Sequence, residues 1–113
     1  MFAIEKLSLS RAVKRLKKEF GSDLFLVVAF GSRVRGDFCG DSDFDVLVIL
    51  KKRNFKILDK VIGIFMEEEE KTGIPYSVIL RDLKSFEKER AVKTGFFRNI
   101  MEEGKVIHGE ITP

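Results

Sequence analysis

Cysteine occurs once in this sequence, at position 39, so no intrachain disulfide can form and the chain suits a reducing compartment. With no second cysteine and a single histidine, His108, clusters of soft metal ligands are also excluded, and Cys39 reads as a small half-buried filler. Glutamine is absent and asparagine occurs only at 54 and 99, while 35% of residues are charged. That balance is common in proteins of hot-living organisms, where labile amides are avoided and ion-pair networks cost less. Long apolar stretches are missing too. The longest run, 24–30, is far below the about 20 residues a membrane helix needs, and Met1 to Lys6 lack the apolar block of a signal peptide. The expectation is a soluble cytoplasmic protein with no membrane partner. Repeats, low-complexity segments and linkers are lacking as well, so residues 1–113 should form one domain, for which 44% hydrophobic residues and 11 phenylalanines supply one core. The net charge of +3 is a modest basic excess that does not by itself indicate nucleic acid, so a nucleic-acid partner ranks low on sequence grounds.

What is present centres on residues 31 to 45. Leu24 to Phe30 is an apolar run of the length expected for a strand covered on both faces. It breaks at Gly31-Ser32, a pair suited to a sharp turn into a helix start, where backbone N–H groups and the hydroxyl favour an anion. Beyond the loop, Asp43 and Asp45 head a second apolar strand, 44–50. Side chains alternate along a strand, so both carboxylates share one face and Phe44 and Val46 the other. Two adjacent carboxylates repel each other unless a cation lies between them. Mg²⁺ fits, because it takes one or two carboxylates and completes its shell with water and phosphate oxygens. Gly-Ser alone is usually a turn and Asp-x-Asp usually a solvated loop end; together, between two buried strands, they describe a site for Mg²⁺ and a nucleoside triphosphate.

The spacing Gly31-Ser32, ten residues, Asp43-x-Asp45, with Arg35-Gly36 inside the loop and Ser42 before the first Asp, resembles the signature of the minimal nucleotidyltransferases of the DNA-polymerase-beta-like superfamily. The segment Phe97 to Gly109 is similar to the ending common in that family. The resemblance implies that Asp43 and Asp45 are the catalytic and metal-binding pair. Gly31, Ser32, Arg33, Arg35 and Ser42 would then bind the nucleotide, ATP or another nucleoside triphosphate, with Mg²⁺ as cofactor. Arg35 could instead pair with Asp37 or Asp41 to shape the loop. The reaction implied is transfer of a nucleotide, AMP from ATP, to a partner protein. The partner implied is a helical protein of the HEPN type, in a pair where this chain is the antitoxin. The alternative is a catalytically weakened nucleotide-binding subunit that neutralises its partner by covering it. A third carboxylate, expected on a later strand, falls by alternation at Ser77. Homo-oligomerisation stays open.

The remaining chain should complete an α/β fold, a small mixed sheet covered by helices, which is also the nucleotidyltransferase fold. Residues 9–20 read as an amphipathic helix capped by Ser8 or Ser10 and ended by Gly21, its basic side a solvated face or, as the less favoured alternative, a surface for an acidic partner or nucleic acid. Asn54 should cap a helix from Phe55 to about Lys71. Its run Glu67 to Glu70 fans out by about 100° per residue and reads as solvated, not as a metal site. Ile74 to Leu80 has strand character, Asp82 can cap a further helix, and Gly95 separates that from a short helix ending at Gly104. Val106 to His108 add an extended segment in which His108 is structural.

Overall fold

The computed structural model describes residues 1–36 and 42–112, so the expectations for Asp37, Cys39 and Asp41 lie outside the described residues. Four strands, β1 (Leu24–Phe30), β2 (Phe44–Leu50), β3 (Tyr76–Asp82) and β4 (Lys105–His108), form a mixed sheet in the order β3-β2-β1-β4. β1 runs antiparallel to both β2 and β4, while β2 and β3 are parallel. A parallel pair needs a crossover, and helix α3 (Phe55–Thr72) supplies it. Helices α1 (Ala3–Phe20) and α3 cover one face of the sheet, and α4 (Leu83–Val92) and α5 (Gly95–Glu103) cover the other.

Burial follows strand alternation. Val27, Val46 and Val48 face Leu9, Leu16 and Phe65 on the α1/α3 side, whereas Leu26, Leu47 and Ile49 face Phe86, Phe97 and Ile100 on the α4/α5 side. Both central strands are covered twice, which is why 24–30 and 44–50 read as nearly continuous apolar runs. The α/β class and the bounds of these two strands agree with the sequence reading. Asn54 caps α3 by accepting from the Ile57 N–H at 2.8 Å, and Asp82 caps α4 by accepting from the Ser85 N–H at 2.7 Å. His108 approaches the Leu24 carbonyl through Nε2 at 3.3 Å, a contact within the fold.

Four expectations need correction. First, α1 begins at Ala3, not near residue 9, and neither Ser8 nor Ser10 caps it. Glu5 does that work, its Oε1 accepting from the Phe2 N–H at 2.7 Å. The apolar pattern misleads here because Ile4 and Leu7 point to water while Glu5 and Ser8 are buried. Second, the Glu67–Glu70 run is not wholly solvated. Glu68 is 0% exposed and accepts hydrogen bonds from Ser8 Oγ and from Arg11 Nη2, each at 2.8 Å, and the Tyr76 hydroxyl lies 2.7 Å from the same Ser8 oxygen. Third, β3 starts at Tyr76 and not Ile74. Fourth, the break before α5 falls at Lys93, whose φ of 58° is left-handed, and Thr94 caps the helix, so Gly95 is its first residue and not the separator.

Burial alone would push the Glu68 carboxyl up, but the hydrogen bonds from Arg11 and Ser8 outweigh it and hold it below the usual range. A carboxyl lowered in the fold stabilises fully above its unfolded pKa and loses that contribution as pH falls through the folded value. Glu68→Ala should therefore destabilise the fold at neutral pH by about 1–3 kcal/mol, the cost of removing a buried hydrogen-bonding partner, because the half-exposed Arg11 left behind can turn to water. Urea unfolding of parent and variant should show that gap narrowing as the pH is taken below the ordinary glutamate range.

Candidate functional site

The antiparallel register of β1 and β2 sets Phe30 opposite Asp45. The next residue along β1, Gly31, is thereby carried against the Asp45 side chain. Its φ is 85°, and a Cβ added there would fall inside van der Waals contact with Asp45 Oδ2. Only glycine satisfies both conditions. Gly31 then starts the short helix α2 (Ser32–Arg35), its carbonyl accepting from the N–H groups of Val34 and Arg35 at 3.1 Å. Gly36, at φ 86°, ends it.

A cavity of about 340 Å³ opens at this point, bounded by Gly31, Ser32, Arg35 and Asp45 on one side and by Phe96, Asn99 and Glu103 of α5 on the other. Asp43 lies just before β2 and is exposed, whereas Asp45 is half-buried within the strand. Burial raises the Asp45 carboxyl above its ordinary value, the charge of Asp43 raises it further, and Arg35 draws it partly back. The two aspartates are thus close enough for their charges to repel, Asp43 standing two residues before Asp45 at the entry to β2.

The two arginines separate in role. Arg33 does not line the cavity. It is almost fully buried, its Nη1 donating to Glu5 Oε2 at 2.9 Å and its Nε to the Ser42 carbonyl at 2.6 Å. It thereby ties α2, which precedes the loop, to the residue that leads into Asp43. Ser42 enters through that carbonyl, as part of the same tie. Arg35 does line the cavity and pairs with Glu103 Oε2 at 2.9 Å, a partner that sequence reasoning did not name. Phe96, Asn99 and Glu103 were also not singled out. Their spacing of three and four places them on one stripe of α5, beside the buried Phe97 and Ile100, so helical periodicity was the available signal.

Ser77 is the register partner of Asp45 on β3. Neighbours in a parallel pair share a face, and the alternation continues through Ile79, which packs with Leu47 and Ile49. Asp82 pairs in register with Leu50, at the far end of the strand, and its carboxylate is engaged in the α4 cap. Among the described residues no group of three or more His, Cys, Asp or Glu side chains is placed to hold a metal. Two oxygen-donor carboxylates that repel each other beside a glycine cradle nevertheless fit Mg²⁺, which binds through one or two carboxylates plus substrate phosphates.

A glycine turn, two aspartates and a solvent-open cavity thus lie together at one end of a mixed sheet on an α/β scaffold. A family model described as nucleotidyltransferase domain matches residues 9–107, and the chain belongs to that family. A Methanocaldococcus jannaschii protein provisionally named a protein adenylyltransferase is 28% identical over 104 residues, covering 92% of this chain and 98% of its own. Among solved structures, a toxin–antitoxin with AMP-PNP superimposes with a TM-score of 0.57 at 20% identity, over 96% of this chain and 75% of that one. A spectinomycin adenyltransferase from Enterococcus faecialis, solved with ATP and spectinomycin, reaches 0.62 at 15% identity over 93% of this chain and 56% of its own. These two likenesses are likenesses of fold.

A carboxyl raised in the fold costs stability while it is ionised, and that cost disappears as pH falls through the folded value toward the ordinary aspartate pKa of about 4. Asp45→Asn should therefore raise the melting temperature of the metal-free protein near pH 8. The gain should shrink on acidification, as followed by thermal unfolding at a series of pH values.

Proposed function

We propose that the chain transfers AMP from ATP to a partner protein, and that the partner is a helical HEPN-type toxin for which this chain is the antitoxin. The observation that carries the reading is the forced approach of Gly31 to the Asp45 carboxylate, with Asp43 close by. The name of the M. jannaschii relative and the toxin–antitoxin neighbour solved with AMP-PNP support the acceptor and the pairing. Asp43 and Asp45 would hold Mg²⁺, which when bound neutralises and orients the phosphates. Ser32 donates its hydroxyl to the β- and γ-phosphates, and Arg35 reaches them by leaving Glu103. Phe96 and Asn99 provide the wall against which the nucleoside lies. An acceptor hydroxyl then forms a bond to the α-phosphorus, the bond to the bridging oxygen of the β-phosphate breaks, and pyrophosphate leaves.

The hydroxyl's proton needs a base, and Ser77, beside Asp45, cannot accept one at neutral pH. General-base assistance is commonly worth about 10²- to 10⁴-fold, so the isolated chain should bind nucleotide well and transfer it slowly, with the partner or solvent taking the proton. The same observation keeps the second reading in view, a nucleotide-binding subunit that neutralises its partner by covering it.

Incubation with Mg²⁺, labelled ATP and the protein encoded beside it tests transfer directly. Label on the partner is expected, lost in Asp43→Asn and Asp45→Asn, which should also lose Mg²⁺-dependent ATP binding while remaining folded. Complex formation with no label would favour the covering subunit, and ATP binding undiminished in the double variant would remove the metal site. Ser77→Asp should tighten binding of a second divalent ion and raise transfer by the isolated chain. No change in either would mean that this position is not that of the missing carboxylate.

A further inference from the structure

The cations of α1 fall into two sets. On the side facing α3, most charges are matched, Arg11 with Glu68 at 2.8 Å, Arg15 with Glu67, and Glu19 with Lys60 at 2.6 Å, and among the described residues only Lys18 on that side lies outside ion-pair distance of a carboxylate. On the other side, Lys6, Lys14 and Lys17 join Lys105 of β4 around a second concavity of about 360 Å³. No acidic side chain lines it, and among the described residues none of these four lysines lies within ion-pair distance of a carboxylate. All four are exposed. The floor is apolar, formed by Leu9, Val13 and Ile107. Like charges three and four residues apart weaken a helix, so the fold itself gains nothing from this arrangement.

We infer that this groove binds the phosphodiester backbone of a nucleic acid, without reading its sequence. Lys6, Ser10, Lys14 and Lys17 follow one another at helical spacing, and Lys6 and Lys17 are about 16 Å apart at 1.5 Å rise per residue, a row of cations along a line. Phosphates repeat along a line, and their neutralisation by lysine supplies the sequence-independent part of nucleic-acid affinity. The lining contains no aromatic residue and no arginine, so it offers neither stacking nor bidentate base contacts. The same composition disfavours a protein partner, because protein interfaces concentrate aromatic residues and arginine and are depleted in lysine. The exposed apolar side chains nearby, Phe2, Ile4, Leu7 and Val106, do not line the groove, and its own apolar floor, Leu9 and Val13, is buried in the core, so the lysine row has no apolar stripe to insert beside it in a bilayer.

The groove begins at the end of the sheet that carries the aspartates. Lys105 pairs with Ala29, one residue before Phe30, and Lys6 follows Glu5, the partner of Arg33. Ala29 and Ile107 pack on the α1 side, whereas Asp45 shares the α4/α5 face, so strand and nucleotide occupy opposite faces and should not compete.

The test is fluorescence anisotropy of a labelled mixed-sequence 12-nucleotide RNA with the full chain, over a salt series from low to near-physiological strength. Four lysine contacts predict a slope of log K against log salt near −3, at about −0.7 per phosphate for a single strand. Lys14→Gln with Lys105→Gln should bring the slope to about −1.4 and weaken binding at low salt at least about tenfold, leaving ATP binding unchanged. Glutamine keeps helix propensity, and Lys84→Gln with Lys88→Gln on α4 removes the same charge elsewhere, so it should have little effect. The inference is overturned if the α4 pair costs as much as the groove pair, if no RNA binds at low salt, or if the groove lysines instead govern equal binding of a polyglutamate peptide or of anionic vesicles.

Discussion

The register between β1 and β2 is the constraint on which the site depends. Pairing Phe30 with Asp45 brings the next residue of β1 against a carboxylate, and with a positive φ only glycine can stand there. The turn at Gly31 and the acid at Asp45 are therefore one geometric unit joined by strand hydrogen bonds. A shift of one residue would turn Asp45 toward the apolar α1/α3 face and take Phe44, which is fully buried there, out of that core toward the cavity side. The energy that fixes the aspartate is thus the burial of β2 on both faces, supplied by residues that take no part in chemistry.

Arg33 does for the loop what the register does for the strands. A charge this deeply buried persists only when paired and hydrogen-bonded, and Glu5 and the Ser42 carbonyl provide both. The pair links the first turn of α1 to the far end of the motif loop, so the position of Asp43 is referred to the body of the protein and not left to the loop. Glu68 with Arg11, Ser8 and Tyr76 forms a second polar network deeper between α1, α3 and β3. Both networks place charge inside a fold whose composition is rich in charge and poor in amides.

Much of this was legible in the sequence. The strands 24–30 and 44–50 were readable because double burial leaves nearly uninterrupted apolar runs, and the motif because Gly31 ends the first run while Asp43 and Asp45 stand at the head of the second. The Asn54 and Asp82 caps were readable because short polar side chains before a periodic stretch have few other uses. What escaped depends on contacts distant in sequence. Glu68 read as solvated, and Glu5 drew no reading, until Arg11 and Arg33, 57 and 28 positions away, were placed against them. The start of α1 was missed for the related reason that Ile4 and Leu7 face outward. Arg33 and Arg35 could not be separated by composition, since only the fold shows that one is buried and the other borders the cavity. The contribution of α5 to that cavity likewise follows from its packing over β1.

The central claim is that Asp43 and Asp45, with the Gly31 turn, form a divalent-metal and triphosphate site. The most direct test is amide NMR of the full chain titrated with Mn²⁺ and ATP, in which the paramagnetic ion broadens signals near its binding place. The account predicts broadening centred on residues 31–35 and 43–45, extending to the α5 residues 96–103, and abolished by Asp43→Asn with Asp45→Asn. Broadening centred instead on Glu67 to Glu70, or unchanged by the double substitution, would contradict it.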